Sequence, residues 1–383
     1  MKPRTGRLAV FSGPGKPLAV VTREVAAPGA GEALLRLTFS GICGTDVHIH
    51  EGCLAMPAMP LVIGHEFSGT IAALGTEPAS DGLGAPLARG DAVIACVAVP
   101  CGTCFNCRRG ETASCLAFGV TYVKPADQPP YFHGGLGEYL YSPIQNLVKI
   151  PDGVDPAAAA AFPCGGPTII RAFAYGGGLE PGELVVIQGN GALGLFALAW
   201  AKRRGATVAV IGSGANPARL ALMRALGPDA FFDYRATTPE AAREAVAGLA
   251  RRLGRGDGAD VVVETSGNPK AFAEGLALVR TRGRYLVPGQ YSNRGTIALA
   301  PQTVTFKALQ IIGSAQYQLA DIGTYLDFLE ANPDLQPLFR SALACYPIDA
   351  VNTALADAAA GLAIKAAICP AGTETAGREP AAR

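Results

Sequence analysis

The stretch VVIQGNGALG, residues 185–194, decides the fold that this sequence predicts. An apolar strand runs into three glycines spaced G-x-G-x-x-G, and an apolar helical pattern follows them. In such a loop the first glycine permits a tight turn, the second lets the backbone approach a pyrophosphate, and the third allows close packing of helix on strand. The helix N-terminus then faces the phosphates. We therefore predict a dinucleotide-binding loop with the contact residues Gly189, Gly191, Ala192, Leu193 and Gly194.

Strands and helices alternate beyond this loop. The predicted strands are residues 184–189, 207–212, 259–267 and 283–289, and the predicted helices are residues 192–204, 218–226 and 269–279. Continuous apolar strands separated by helices are typical of a parallel sheet that is covered on both faces. The predicted fold class for this half of the chain is α/β, with a doubly wound parallel sheet.

The second predicted strand does not end in an acid. Gly212 and Ser213 stand at its end, and no Asp or Glu occurs in the following 15 residues. A carboxylate at this point would bind the ribose hydroxyls of NAD and repel the 2′-phosphate of NADP. The sequence therefore favours NADP over NAD. Gly212 and Ser213 are predicted to lie beside the ribose, and Arg219 and Tyr234 are candidates to approach the phosphate.

The remainder of the chain has a different pattern. Up to about residue 160, short apolar runs are interrupted by Gly, Pro and Asp roughly every ten residues, which is typical of a β-rich domain. After about residue 321, helical patterns at 322–330 and 348–360 precede a short strand at 363–369.

Four of the ten cysteines lie within the 15 residues CGTCFNCRRGETASC, 101–115. The thiolates of Cys101, Cys104, Cys107 and Cys115 suit a closed tetrahedral Zn²⁺ site, which leaves no position for water or substrate. Its predicted role is to hold a loop that has little core of its own. An iron–sulfur cluster also takes four cysteines, but the flanking pattern of a ferredoxin is missing.

A second, open metal site is predicted from GICGTDVHIH, 41–50, and GHEFSG, 64–69. These glycine-framed motifs supply Cys43, His65 and Glu66, in a chain that has only 4 histidines. A catalytic zinc takes three protein ligands and keeps one position for water or substrate. Cys164 is the best third ligand, because it lies where the β-rich part meets the nucleotide-binding part.

The composition excludes several classes of protein. Hydrophobic residues make up 49% of the 383 residues, enough for a packed core, which excludes a disordered chain. The formal charge of +1 gives no reason to expect nucleic acid or a membrane surface as a partner. There is no apolar signal core and no run long enough to span a membrane. We therefore expect a cytoplasmic protein, in which disulfides are uncommon.

Taken together, GICGTDVH, GHEFSG, the four-cysteine lobe, GGLGEY, GNGALG and AIKAAI resemble the zinc-dependent medium-chain alcohol dehydrogenases over nearly the whole chain. The resemblance implies a GroES-like β-rich catalytic domain, discontinuous in sequence, of residues 1–165 with 322–383. It also implies a Rossmann domain of residues 166–321. The ligands of the family's catalytic zinc match Cys43, His65 and Cys164, with Glu66 as an alternate ligand.

The same resemblance assigns further roles. It matches a proton relay to the hydroxyl of Thr45 and to His48, and a carboxylate behind the ligands to Asp46. It matches a nicotinamide contact to Thr168 and a pyrophosphate contact to Lys365. It implies two zinc ions per chain and reversible hydride transfer between a small primary or secondary alcohol and NAD or NADP, giving an aldehyde or ketone. The identity of the alcohol stays open.

The sequence also argues against two other functions, quinone or enoyl reduction and a role without catalysis. Quinone and enoyl reductases of the same superfamily lack both zinc sites, so Cys43, His65 and the four-cysteine lobe argue against that activity. A protein that keeps the fold without catalysis would be expected to have lost a zinc ligand or Thr45, and neither is lost.

Two short apolar segments bear on assembly. TIALAP, 296–301, and LQIIGS, 309–314, are strand-like and resemble the segments through which the family forms dimers and tetramers. We expect a homodimer or homotetramer.

Overall fold

The computed structural model describes residues 4–56, 59–289, 291–292 and 295–370. These residues form two compact units. The first is made of the chain up to Cys164 together with the chain from Gln318 onward, and the second is Gly165–Tyr317. The predicted α/β fold class is confirmed, with a β-rich first unit and a doubly wound parallel sheet in the second.

The first unit is built on a seven-stranded mixed sheet. The pairs β1-β2, β5-β6 and β8-β9 form three separate two-stranded sheets. The strands of the whole unit are β1 Thr5–Val10, β2 Ala19–Glu24, β3 Glu32–Gly41, β4 Glu66–Leu74, β5 Ala79–Ser80, β6 Pro86–Leu87, β7 Ala92–Ala95, β8 Ala98–Val99, β9 Gly119–Val120, β10 Tyr139–Pro143, β11 Leu147–Lys149, β18 Leu343–Tyr346 and β19 Lys365–Ile368. Its helices are α1 Gly44–His50, α2 Pro156–Ala159, α9 Leu319–Ala331, α10 Gln336–Arg340 and α11 Val351–Ala359. The sheet order is β11-β7-β4-β3-β19-β18, with β10 also paired to β3. This order places β19, from near the end of the chain, beside β3.

The second unit carries a six-stranded sheet in which every pairing is parallel. Its strands are β12 Leu184–Gln188, β13 Thr207–Gly212, β14 Ala230–Asp233, β15 Ala259–Glu264, β16 Val279–Val287 and β17 Gln310–Gly313. Its helices are α3 Gly165–Tyr175, α4 Ala192–Arg203, α5 Pro217–Ala225, α6 Pro239–Arg252, α7 Pro269–Leu278 and α8 Pro301–Lys307. The order β14-β13-β12-β15-β16-β17 reverses direction at β12, so the fingerprint loop after β12 lies at the switch point where open α/β sheets bind ligands.

Three helices of this unit begin in the same way. Proline occupies the first helical position of α5, α6 and α7, and the preceding Asn216, Thr238 or Asn268 accepts a backbone N–H bond through its side chain. Such a cap satisfies a free N–H group of the first turn, and proline at this position loses no helical hydrogen bond.

One predicted strand is wrong. The segment 296–301 was expected to be strand-like, but residues 295–300 are irregular and helix α8 begins at Pro301. Proline is preorganised for the first helical position and cannot donate to a strand ladder, so Pro301 begins a helix and does not continue a strand. The companion segment at 309–314 does form β17.

Although disulfides are expected to be uncommon in this chain, Cys345 and Cys369 are bonded to each other. Strands β18 and β19 are parallel neighbours, and Cys345 lies opposite Ala367 in their register. Cys369 follows two residues later, and its Cα lies 5.5 Å from that of Cys345. The expectation rested on compartment alone, whereas this pairing depends on which strands are neighbours.

In the part of the chain that the structure describes, no helix combines the length and the apolar character required to cross a bilayer.

Candidate metal centre and nucleotide loop

The first candidate site is built around the start of helix α1. Cys43 is the N-cap residue, and its backbone N–H donates to the Oδ2 atom of Asp46 at 2.9 Å. The other carboxylate oxygen, Oδ1, accepts from the backbone N–H of Gly64 at 3.1 Å and lies 3.2 Å from Nδ1 of His65. Asp46 is fully buried. One carboxylate therefore fixes both predicted ligands, which are 22 residues apart in the sequence.

The structure brings the predicted open metal site together. The ligand atoms of Cys43, His65, Glu66 and Cys164 all lie within 4.8 Å of one another. Nδ1 of His65 is in hydrogen-bond contact with Asp46, so Nε2 is the ring nitrogen that remains for a metal. Two sulfurs, one imidazole nitrogen and a carboxylate match the donor set that Zn²⁺ prefers; His65 and Glu66 are buried and the two cysteines are half-buried.

The electrostatics of the cluster fit a cation. The thiol of Cys164 and the ring of His65 hold the pKa of Cys43 well below that of an ordinary thiol, although burial opposes them. Burial favours a neutral His65, but Asp46 and Cys43 outweigh it and hold the pKa of His65 well above its usual value. Because thiolate sulfur is the form that ligates metal, the low pKa of Cys43 suits a ligand.

Glu66 has a buried cationic partner. Both of its carboxylate oxygens accept from Nζ of Lys365, at 2.6 and 2.8 Å, and both side chains are almost completely buried. Burial raises the pKa of Glu66 to about 7, even though Lys365 acts in the opposite direction. The sequence placed Lys365 beside a pyrophosphate; in the structure its ammonium group lies on Glu66, because β19 pairs with β3 next to β4.

The proposed relay residues follow Cys43 on α1. The Oγ1 atom of Thr45 lies 4.0 Å from Sγ of Cys43. Thr45 and His48 are three residues apart on the same helix and therefore share one face of it. Both side chains are half-buried.

One aromatic residue at this site was missed from the sequence. Tyr122 is buried, and its ring centroid lies 6.1 Å from that of His65. Burial raises the pKa of its hydroxyl, with smaller effects from His65, Asp46 and Cys43. Its position just after the four-cysteine lobe is not enough to predict this contact, because only the fold brings Tyr122 next to His65.

The second cysteine set is also assembled. The sulfur atoms of Cys101, Cys104, Cys107 and Cys115 lie within 4.8 Å of one another. Backbone N–H groups point at three of these sulfurs: Cys104 donates to Cys101, Cys107 donates to Cys104, and Cys101 and Ala117 both donate to Cys115. The N–H groups of Thr103 and Cys104 lower the pKa of Cys101 to about 6. Thiolates stabilised in this way suit a closed four-sulfur zinc site.

The fingerprint loop of the second unit has the shape of a phosphate cradle. Gly189 has a φ of +102°, which favours glycine, and a Cβ on Gly194 would collide with the carbonyl oxygen of Gly189. At Gly191, by contrast, an added Cβ would meet no atom within 4 Å, so the backbone there is open to a ligand. Ala192 and Leu193 form the first turn of α4, whose N-terminus is at this loop. The residues present therefore fit a dinucleotide.

Asn190 joins this loop to the end of β13, which sequence reasoning missed. Its side-chain amide donates to the carbonyl of Ser213 at 2.8 Å and accepts from the N–H of Ser213 at 3.1 Å. Gly212 is required here, because an added Cβ would lie 2.6 Å from Cγ of Asn190. Thr168, the predicted nicotinamide contact, lies buried on α3 of the same unit.

Comparison with known proteins gives the same picture. Residues 29–152 match the alcohol dehydrogenase GroES-like domain, and residues 192–331 match the zinc-binding dehydrogenase domain. The chain is 31% identical to 5-exo-hydroxycamphor dehydrogenase of Pseudomonas putida over 89% of this chain and 92% of that protein. It is 35% identical to a probable alcohol dehydrogenase of Mycobacterium tuberculosis over 82% of this chain and 84% of that protein. It is also similar to the solved structure of an alcohol dehydrogenase from Thermotoga maritima, with 26% identity and a TM-score of 0.88. The match covers 96% of this chain and 100% of that chain.

Proposed function

Because this chain belongs to the zinc-type medium-chain alcohol dehydrogenases and is an oxidoreductase of that kind, we propose that it transfers a hydride between an alcohol and NAD or NADP. The product is an aldehyde or ketone, and the reaction is reversible. The observation that carries the proposal is the open cluster of Cys43, His65 and Cys164, fixed by Asp46. The phosphate cradle of the second unit supports the dinucleotide.

Each residue of the cluster has a task in this proposal. Cys43, His65 and Cys164 hold zinc, with Glu66 as an alternate ligand. When bound, zinc supplies a Lewis acid that polarises the oxygen of the alcohol. Thr45 would accept the alcohol proton at Oγ1, and His48, on the same face of α1, would release it to solvent. Lys365 neutralises Glu66 inside the protein, where an unpaired carboxylate would be costly.

The second cysteine set has a structural task. Its four sulfurs form a closed site, so we assign it a second zinc that holds the loop of residues 101–115. The protein thus carries two zinc ions per chain.

The test of this function is a panel of alcohols and carbonyl compounds with both coenzymes. Neutral alcohols are favoured, because charged residues are only 16% of the chain and the sequence has no clear anion clamp. 5-exo-Hydroxycamphor belongs in the panel, since a relative is named for it. Appearance of NADH or NADPH with an alcohol, and its loss when zinc is removed by a chelator, would support the proposal. Reduction of quinones or enones with no alcohol oxidation would refute it.

The assembly we propose is a homodimer or homotetramer formed through the edge strand β17. This strand is the last of its sheet, and Gln310, Ile311 and Gly313 are exposed on it. Phe306, just before it, is 84% exposed. Among the described residues no strand pairs with the outer edge of β17. Such an edge, with exposed apolar side chains beside it, favours pairing with a second copy across a two-fold axis.

We expect Ile311→Lys to convert the assembly into monomers, because an ammonium group on the edge strand opposes its pairing with an identical strand. Light scattering coupled to gel filtration measures the mass. Leu253→Lys is the control, since Leu253 is similarly exposed in the same unit, at 41% against 38% for Ile311, but lies away from the edge. A wild-type protein with the mass of one chain would contradict the proposal.

A further inference from the structure

The end of β13 has no room for an acid at Gly212. Its Cβ position is taken by the side chain of Asn190, which is buried and holds Ser213 by two hydrogen bonds. The residues that follow β13 are Ser213 and Gly214, and neither carries a carboxylate. A carboxylate is therefore excluded by packing at the last residue of β13 and is missing from the two residues after it.

A carboxylate nevertheless lies at this point, and it comes from the neighbouring strand. Asp233 is the last residue of β14 and lies opposite Gly212 in the parallel register. Its Oδ2 atom is 2.8 Å from the place that a Cβ on Gly214 would occupy. The absence of a side chain at Gly214 thus makes room for the acid of Asp233.

The position of Asp233 is fixed locally. Its Oδ1 atom accepts from the backbone N–H of Arg235 at 3.0 Å, which orients the carboxylate and leaves Oδ2 toward Gly214. Among the residues that the structure describes, no Lys or Arg side chain forms an ion pair with Asp233, and the side chain is only half-buried. Its negative charge is therefore not cancelled by a salt bridge.

The nearby groups define where a ligand would meet this charge. Phe232 and Tyr234, on either side of Asp233, line a cavity of about 730 Å³ that also reaches Gly189 and Ser266. Because side chains alternate along a strand, Asp233 faces the opposite side, toward Gly214. Asp233 is therefore next in sequence to two cavity-lining residues, and its carboxylate lies at the end of β13.

We propose that Asp233 of β14 supplies the ribose-facing acid that β13 lacks, and that it discriminates against a 2′-phosphate, so that the chain prefers NAD to NADP. This inference rests on the proposed dinucleotide function. It opposes the preference for NADP drawn from the sequence, which considered acids on β13 only. Arg219 is the competing cation: it interacts with Tyr234, which lines the cavity, although burial lowers its pKa.

The test uses two coenzyme fragments on the full-length protein, 5′-AMP and adenosine 2′,5′-bisphosphate, with affinities measured by calorimetry. We expect the wild type to bind 5′-AMP more tightly. Asp233→Asn keeps the acceptor for the Arg235 N–H but removes the charge, so it should improve the relative affinity of the bisphosphate by about tenfold, the size of one like-charge contact near a protein surface.

A second variant displaces the carboxylate of Asp233 without changing Asp233 itself. Gly214→Ala puts a methyl carbon 2.8 Å from Oδ2 of Asp233, so the carboxylate has to shift away, and the relative affinity of the bisphosphate should again rise. Glu244→Gln removes an acid of the same unit that lies outside the cavity lining and should leave the ratio unchanged. Ratios of kcat/KM for NAD and NADP should follow the fragment affinities.

The outcomes distinguish failure of the proposed dinucleotide site from failure of the proposed role of Asp233. If neither fragment binds the wild type, the dinucleotide site itself is wrong, and this inference falls with it. If both bind and Asp233→Asn leaves their ratio unchanged, only the role of Asp233 is refuted. A wild type that prefers the bisphosphate, with a preference lost in Arg219→Gln, would overturn the inference in favour of Arg219.

Discussion

Replacing Cys43 by serine is expected to abolish turnover while leaving the protein folded. The thiol of Cys43 is one of the donors gathered within 4.8 Å in the open cluster, and its pKa is held low by the thiol of Cys164 and the ring of His65. A serine hydroxyl stays protonated at neutral pH and cannot replace a thiolate ligand. Activity should fall by more than about 100-fold, because loss of a residue that only hydrogen-bonds to a metal ligand already costs up to about that much.

The contrast is Cys104→Ser in the closed set. Here we expect loss of the second zinc and a marked fall in melting temperature, because binding of a structural zinc contributes directly to folding. Metal analysis should give two zinc ions in the wild type and one in each variant, with turnover lost in Cys43→Ser and stability lost in Cys104→Ser. Cys53→Ser is the matched control, because Cys53 lies outside both clusters and should keep both ions. Fully active wild type with fewer than two zinc ions would contradict the assignment.

The parts predicted from the sequence are those that depend on short stretches. The loop at 185–194 predicted the strand, the turn and the helix around it, because the glycine spacing constrains the backbone directly. The four-cysteine set is equally local. The open set was harder, since Cys43, His65 and Cys164 are distant in sequence, and the junction position of Cys164 was the feature that suggested it.

The parts that were missed depend on which strands are neighbours. Lys365 meets Glu66 only because β19 is inserted beside β3, and Cys345 meets Cys369 only because β18 and β19 are parallel partners. Asp233 reaches Gly214 from the next strand of the sheet. No periodicity in the sequence carries this information, because pairing between strands is settled by the packing of the whole unit.

Thr45→Val is expected to slow alcohol oxidation by about 10²- to 10⁴-fold, the usual contribution of a positioned acid–base group. Valine has nearly the shape of threonine but cannot accept or donate the proton. Because Oγ1 of Thr45 lies 4.0 Å from Sγ of Cys43, the lost hydroxyl is beside the open cluster. The variant should retain two zinc ions and normal coenzyme affinity, so the fall should appear in kcat with the coenzyme KM unchanged.

Conservative replacement separates the hydroxyl from the shape of the side chain. Thr45→Ser keeps the hydroxyl at the second position of α1 and should restore most of the rate, whereas a purely structural role would make serine as poor as valine. His48→Gln should be milder than Thr45→Val, because water at the half-buried His48 position can accept the proton in its place. Its rate should recover as the buffer base concentration rises. A Thr45→Val enzyme that turns over at the wild-type rate would exclude the relay, and with it the role of His48.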